Sequence, residues 1–173
     1  MSRVPSLAEI NSLNRAAFTS ALGHLFEHSP WVADETWPWR PFRDAAHLHA
    51  ALCATMRAES QKKQLALIRA HPDLAGRLAQ QNKLTAESTR EQASAGLTRL
   101  TDEELAVFQT NNAAYLARFG FPFIICARLN NRATILAAMQ SRLGNSSEAE
   151  FQTALGEVEK IALLRLNDLL KTN

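Results

Sequence analysis

The chain has 173 residues, 46% of them hydrophobic and 21% charged, and carries a formal net charge of +2. That length suffices for a real core, so residues 1–173 are expected to form a single domain. Interspersed charge excludes a nucleic-acid footprint, which needs clustered Lys and Arg, and no run approaches the roughly 18 consecutive apolar residues of a membrane span.

Cys53 and Cys126 lack any CxxC spacing, so they make neither a disulfide framework nor a zinc site. They are expected to be reduced thiols in a cytoplasmic protein. Met1-Ser2-Arg3-Val4-Pro5 leads into a polar stretch rather than a secretory signal. The tail Leu170-Lys171-Thr172-Asn173 does not spell the peroxisomal address.

Helix signals dominate in chain order. Ser6 with Glu9 makes a capping box for a short first helix. Asn14 caps a second, expected from Arg15 to Glu27, with Phe18, Leu22, Leu25 and Phe26 at helical period. Residues 29–42 hold Trp31, Trp37 and Trp39 with Pro30, Pro38 and Pro41, and read as a stiff, self-packing aromatic loop. Further helices are expected over 44–58 and 61–70, then a short one over Pro72–Gln80.

Ser88 with Glu91 fits a capping box for the next helix, and Thr85 with Ser88 fits more weakly. Thr101 with Glu104 opens a helix to about Arg118, closed by Gly120. Phe121–Ala127 is the β-like run. Pro122 argues against a central strand, so it reads as extended, buried backbone entering a helix that Asn131 opens. Ser147 with Glu150 is expected to cap the last helix, about 148–171. Its apolar face, which includes Phe151, Leu155, Val158, Ile161 and Leu166, also carries Arg165. The expectation is an all-α, compact, bundle-like fold of about eight helices.

Four polar features stand out. His71 lies directly before Pro72, which disfavours α conformation at His71 and itself suits a helix start. A histidine held at a helix boundary is a candidate proton donor or acceptor; the plain alternative is a surface boundary residue. Ser88, Glu91 and Gln92 share one helical turn. Extended backbone over Phe123–Ala127 presents N–H and C=O groups to some partner. Arg165 on an apolar face needs a carboxylate or an anionic ligand, with Glu91 available, unless it snorkels to water. Together these features suit a small, amide-rich anion.

His24-Leu25-Phe26-Glu27-His28 also matches H-x-x-E-H, a zinc-hydrolase pattern that needs two histidines on one helix face. Ser29-Pro30 breaks the helix directly after it. His47 and His49 do not share a face and read as surface residues.

Five stretches, taken in order, resemble the OHCU decarboxylase family of urate degradation. They are Phe26-Glu27-His28-Ser29-Pro30-Trp31-Val32-Ala33, His71-Pro72-Asp73-Leu74-Ala75-Gly76, Ser88-x-x-Glu91-Gln92-x-x-Ala95-Gly96-Leu97, Phe119-Gly120-Phe121-Pro122-Phe123-Ile124-Ile125-Cys126 and Glu159 through Arg165-Leu166. The resemblance implies an all-α homodimer that needs no cofactor and converts 2-oxo-4-hydroxy-4-carboxy-5-ureidoimidazoline (OHCU) to (S)-allantoin. It implies His71 as the catalytic proton donor, with Glu91 and Arg165 completing the catalytic set. The substrate contacts it implies are Pro72, then Ser88, Thr89, Arg90, Glu91 and Gln92, then Phe123, Ile124, Ile125, Cys126 and Ala127. Loss of carbon dioxide leaves a carbanion beside a ring carbonyl and imine, so the charge delocalises without a metal or pyridoxal. A helix N-terminus disfavours an imidazolium and a carboxylate such as Glu91 restores it, which would leave His71 titrating near neutral pH. The competing functions are a helical binding or scaffold module, with the tryptophans as interface, and a zinc hydrolase using His24, Glu27 and His28.

Overall fold

The computed structural model describes residues 5–76 and 83–170. Among them are nine α-helices, joined by turns and 3-10 segments, with no strand. The all-α expectation holds, and most of the caps behave as the sequence requires. Ser6 and Glu9 form the reciprocal box at α1 (Leu7–Ser12), and Asn14 caps α2 (Arg15–Leu22). Asp44 caps α4 (Ala45–Ala58), and Thr101 with Glu104 boxes α7 (Asp102–Phe119). Gly120 closes α7 in the left-handed conformation, φ 73°, which suits glycine. Asn131 opens α8 (Arg132–Arg142). The remaining helices are α3 (Trp31–Thr36), α5 (Gln61–Ala70), α6 (Ala86–Ser94) and α9 (Ser147–Leu170).

Several expectations are corrected. The aromatic stretch is not a plain loop: it contains α3 and a 3-10 turn over Trp37–Trp39. Pro30 stands at the N-cap of α3, a position that costs no backbone hydrogen bond. Trp37 donates its indole N–H to the Leu13 carbonyl (3.1 Å), and Lys63 lies 4.0 Å over the Trp31 ring, whereas Trp39 is 70% exposed. The second helix ends at Leu22, not Glu27; a 3-10 turn over Gly23–Leu25 follows. Thr85 caps α6 by accepting from the Ser88 N–H (3.2 Å), so Ser88 stands inside the helix and not at its cap. The Ser146 hydroxyl accepts from the Ala149 N–H (3.2 Å) at the start of α9, one residue earlier than the expected Ser147 cap. Residues 72–76 form an irregular turn and not the start of a helix; the rest of that expected helix, 77–80, lies outside the described residues. Residues 1–4 and 171–173 also lie outside them.

The chain divides into two compact units. One comprises residues 1–70 with 159–173, the other His71–Val158, so α9 contributes to both. In the first unit, Ile10, Phe18, Leu22, Phe26, Leu48, Leu52 and Met56 are fully enclosed. Polar contacts at Glu159, midway along α9, fasten that helix within this unit. His49 Nε2 lies 2.9 Å from the Glu159 carbonyl, and Arg57 Nε lies 2.6 Å from Glu159 Oε1. His49 is therefore half-buried and engaged, and His47 Nδ1 accepts from the Arg43 N–H (3.2 Å); neither is a bare surface residue.

In the second unit the core is aromatic. The Tyr115 ring meets Phe123 edge-on at 5.2 Å and Phe121 at 6.0 Å. Phe121–Ala127 is buried throughout and unpaired as a strand, as its sequence suggests, and it runs into a 3-10 turn over Ala127–Leu129 before α8. No helix among the described residues is long and apolar enough to cross a membrane.

Candidate active site

His71 is the first residue beyond α5 and is 8% exposed. It is thus neither a surface residue nor at a helix N-terminus. The partial negative charge of a helix C-terminus neighbours it, which reverses the electrostatic expectation drawn from Pro72. Among the described residues its Nε2 atom is buried and takes no hydrogen bond.

The backbone after His71 is fastened by side chains from two helices. From α6, the Gln92 amide accepts from the Ala75 N–H (3.0 Å) and donates to the Asp73 carbonyl (3.3 Å). From α7, Asn112 Nδ2 donates to the Leu74 carbonyl (2.9 Å). The turn closes with the Gly76 N–H on the Asp73 carbonyl (3.3 Å), and Ala75 takes φ 50°, left-handed for a residue with a Cβ. Gly76 is obligatory there, because an added Cβ would sit 2.4 Å from the Asp73 Cβ.

On α6, Ser88 and Gln92 are buried one turn apart and Glu91 is half-buried. Thr89 and Arg90 lie on the exposed side of that helix. Thr89 Oγ1 donates to the Thr85 carbonyl (2.9 Å), and Arg90 reaches the Ala86 carbonyl (3.2 Å) and Glu87 (3.4 Å). The structure therefore gathers Ser88 and Gln92, but not Thr89 and Arg90, on one buried face.

The buried run Phe123, Ile124, Ile125, Cys126 and Ala127 is held at two points. The Cys126 N–H donates to Glu157 Oε2 (2.8 Å), and Arg142 Nη1 donates to the Ile124 carbonyl (2.8 Å). Arg142 also lies 4.4 Å over the Phe123 ring and pairs with the fully buried Glu150. Glu150 further accepts from Tyr115 and from Asn145 Nδ2 (2.7 Å). It therefore serves this buried network and not the expected cap. Burial, then the Glu157 carboxylate, then Glu91 push the Cys126 thiol up. That thiol stays protonated at neutral pH, and Glu91 is close enough to be felt there.

Arg165 belongs to the first unit. Its guanidinium donates from Nη1 to Glu27 Oε2 (3.0 Å) and to the His24 carbonyl (3.2 Å), and it is 5% exposed. It does not snorkel. Its carboxylate partner here is Glu27, a residue read from sequence as the zinc-hydrolase base. That zinc reading is overturned on geometry. His24 lies inside the 3-10 turn, Phe26 beyond it is extended, and His28 takes φ 47°, so the two histidines share no helix face. A cavity of about 600 Å³ in the first unit, lined by Trp39, His47, Ala51, Ala54 and Thr55 among others, contains none of the residues expected to be catalytic or to contact substrate.

Sequence reasoning missed Asn112, Arg142 and Glu157, and gave Glu150 only a capping role. Glu150 and Glu157 were accessible to it. Glu150 precedes the buried Ala154 by four residues and Glu157 precedes the buried Ile161 by four, so both sit on the apolar stripe that exposed Arg165. Asn112 left no such signal, since its partner Leu74 is 38 positions away.

The OHCU decarboxylase family model matches residues 11–167. The 2-oxo-4-hydroxy-4-carboxy-5-ureidoimidazoline decarboxylase of Halalkalicoccus jeotgali is 44% identical over 95% of this chain and 91% of that protein. The mouse (Mus musculus) protein of the same name is 44% identical over 95% and 92%. Among solved structures, one titled (S)-allantoin synthase superimposes with TM-score 0.75 at 32% identity, over 96% of this chain and 54% of that chain. A crystal structure of OHCU decarboxylase in the presence of (S)-allantoin has TM-score 0.68 at 22% identity, a likeness of fold.

Proposed function

The chain belongs to the OHCU decarboxylase family of carboxy-lyases, and from that premise we propose that it converts OHCU to (S)-allantoin, without a cofactor, with His71 as the proton donor. The carbon–carbon bond to the substrate carboxylate breaks and carbon dioxide leaves. The electron pair stays on the ring carbon, spread into the adjacent carbonyl and imine. His71 then delivers a proton to one face of that carbon, which fixes the enantiomer. A positioned general acid contributes typically ~10²–10⁴-fold.

The observation that carries this reading is the setting of His71: a buried histidine just past α5, on backbone fastened from α6 and α7. A proton donor serves stereochemistry only if its position relative to the ring is fixed, and a fastened backbone supplies that. Pro72, Ser88 and Gln92 with the backbone of Phe123, Ile124, Ile125, Cys126 and Ala127 are the substrate contacts of this reading. The family resemblance also implies Thr89 and Arg90 as substrate contacts, although their side chains point into solvent or onto α6 itself. Glu91 and Arg165 belong to the catalytic set that the family resemblance implies. The same resemblance implies a cytoplasmic homodimer, which sedimentation of the purified chain tests.

The deciding experiment forms the substrate in the cuvette from urate with urate oxidase and hydroxyisourate hydrolase, and follows circular dichroism. Wild type gives a rapid rise of the (S)-allantoin signal, and His71→Ala gives the slow, racemic course of the uncatalysed reaction. A wild-type trace no faster than the blank rejects the decarboxylase reading. Full activity in His71→Ala rejects His71 as donor.

A further inference from the structure

The geometry points to Asn112 as a positioning residue that, together with Gln92, fixes where His71 stands. The inference rests on the reading of His71 as proton donor. The turn after His71 has few degrees of freedom. Pro72 locks its own φ and restricts His71, so what remains adjustable lies at residues 73–75. Side chains from outside the turn hold each of those residues. Gln92 takes the Asp73 carbonyl and the Ala75 N–H. Asn112 takes the Leu74 carbonyl between them, at 2.9 Å.

The two contacts differ in kind. Gln92 reaches from α6 and holds the two ends of the turn, whereas Asn112 reaches from α7 and holds its middle. One amide alone leaves the turn free to rock about its own hydrogen bonds; two, from different helices, do not. The turn also contains Ala75 at φ 50°, a conformation a residue with a Cβ does not hold unaided. The peptide that leads into Ala75 is held at both ends from outside the turn, its Leu74 carbonyl by Asn112 and its Ala75 N–H by Gln92, and that is what over-determines the conformation.

Asn112 is not simply a stabilising contact. Its Nδ2 bonds to Leu74, but its Oδ1 is buried and, among the described residues, takes no hydrogen bond. An amide that satisfies one end and strands the other contributes little net stability, because the desolvated acceptor offsets the bond made by the donor. Loss of Asn112 is therefore expected to cost little melting temperature, which separates its structural effect from its effect on His71.

The experiment compares wild type, Asn112→Ala, Asn112→Ser and His71→Ala. The readouts are kcat and KM, the enantiomer ratio of allantoin at completion, thermal melting, and amide hydrogen exchange at residues 73–76. Expected for Asn112→Ala is a kcat lowered by up to about 10²-fold, the scale of a misplaced reacting group. KM stays within about twofold, the enantiomer ratio falls towards racemic, and exchange at residues 73–76 quickens. Wild-type kcat and enantiomer ratio in a folded Asn112→Ala overturn the inference. So does a kcat that falls only in step with the folded fraction. Should Asn112→Ala fail to fold, the same two criteria apply to Asn112→Ser, and failure of both to fold overturns the inference in favour of a structural role. His71→Ala keeps the two claims apart: if it retains activity the donor reading fails, and if it is inactive while the Asn112 variants behave as wild type only the positioning inference fails.

Discussion

Arg165 and Glu27, 138 positions apart, meet as a buried ion pair: Nη1 lies 3.0 Å from Oε2, with the two side chains 4% and 2% exposed. Burial of either charge is costly without a counter-charge. A guanidinium on the apolar face of α9 and a carboxylate just after a 3-10 turn each make the other's burial possible.

Breaking that pair from one side takes a close counter-charge from a buried group. Arg165→Met or Glu27→Gln alone is expected to destabilise by about 3–5 kcal/mol. The double variant should cost less than the sum of the two, with a coupling of about 0.5–3 kcal/mol. Denaturant unfolding of the four proteins measures it. Additive single effects would mean the two side chains do not share an energetic bond.

The turn after His71 makes opposite demands on neighbouring residues. Gly76→Ala forces a Cβ within 2.4 Å of the Asp73 Cβ, so the turn must open. Lower stability and a kcat loss of at least tenfold are expected. Ala75→Gly relieves a left-handed residue whose ordinary cost is about 1–2 kcal/mol. A higher melting temperature with kcat unchanged is expected, because the Ala75 N–H still reaches Gln92. Equal effects of the two variants on melting would contradict this geometry.

Tyr115 is the chain's one tyrosine, so its titration is directly visible in ultraviolet absorbance. Burial first, then its hydrogen bond to the Glu150 carboxylate, push its phenol far above the ordinary value near 10. The folded protein therefore keeps this proton where the unfolded chain loses it. The contribution to stability is complete below pH 10 and is lost as pH rises above it. Phenolate absorbance should appear only with unfolding; a smooth ionisation at pH 10 in the folded protein would refute the buried pairing.

Both thiols are held protonated. Burial, reinforced by the Glu159 carboxylate, pushes Cys53 up to about 12, and Cys126 is raised for the corresponding reason with Glu157. Iodoacetamide at pH 8 should label the native protein slowly and the denatured protein promptly at both sites. Fast native labelling of Cys53 would mean that its contact with His49 Nε2, at 3.3 Å, generates a thiolate.

By itself the sequence determined the helical class, most of the caps and the candidate residues on the buried face of α6 and in the run 123–127. Each of those is a local matter of side-chain type and spacing, such as Thr101 three residues before Glu104, or Pro122 inside a β-like run. It also marked Arg165 as anomalous, because an arginine on an apolar helical stripe is visible from period alone. What only the tertiary structure decided is what each marked group does. Pro72 suggested a helix start, but the backbone at 73–75 is drawn into a turn by Gln92 and Asn112, amides from helices distant in sequence that outcompete a weak local preference. Ser88 and Thr85 were both plausible caps, and burial of Ser88 chose between them. Glu27 looked like a metal-site base and is a counter-ion, because the pairing of two buried charges depends on which surfaces fold together and not on the spacing of either in the chain.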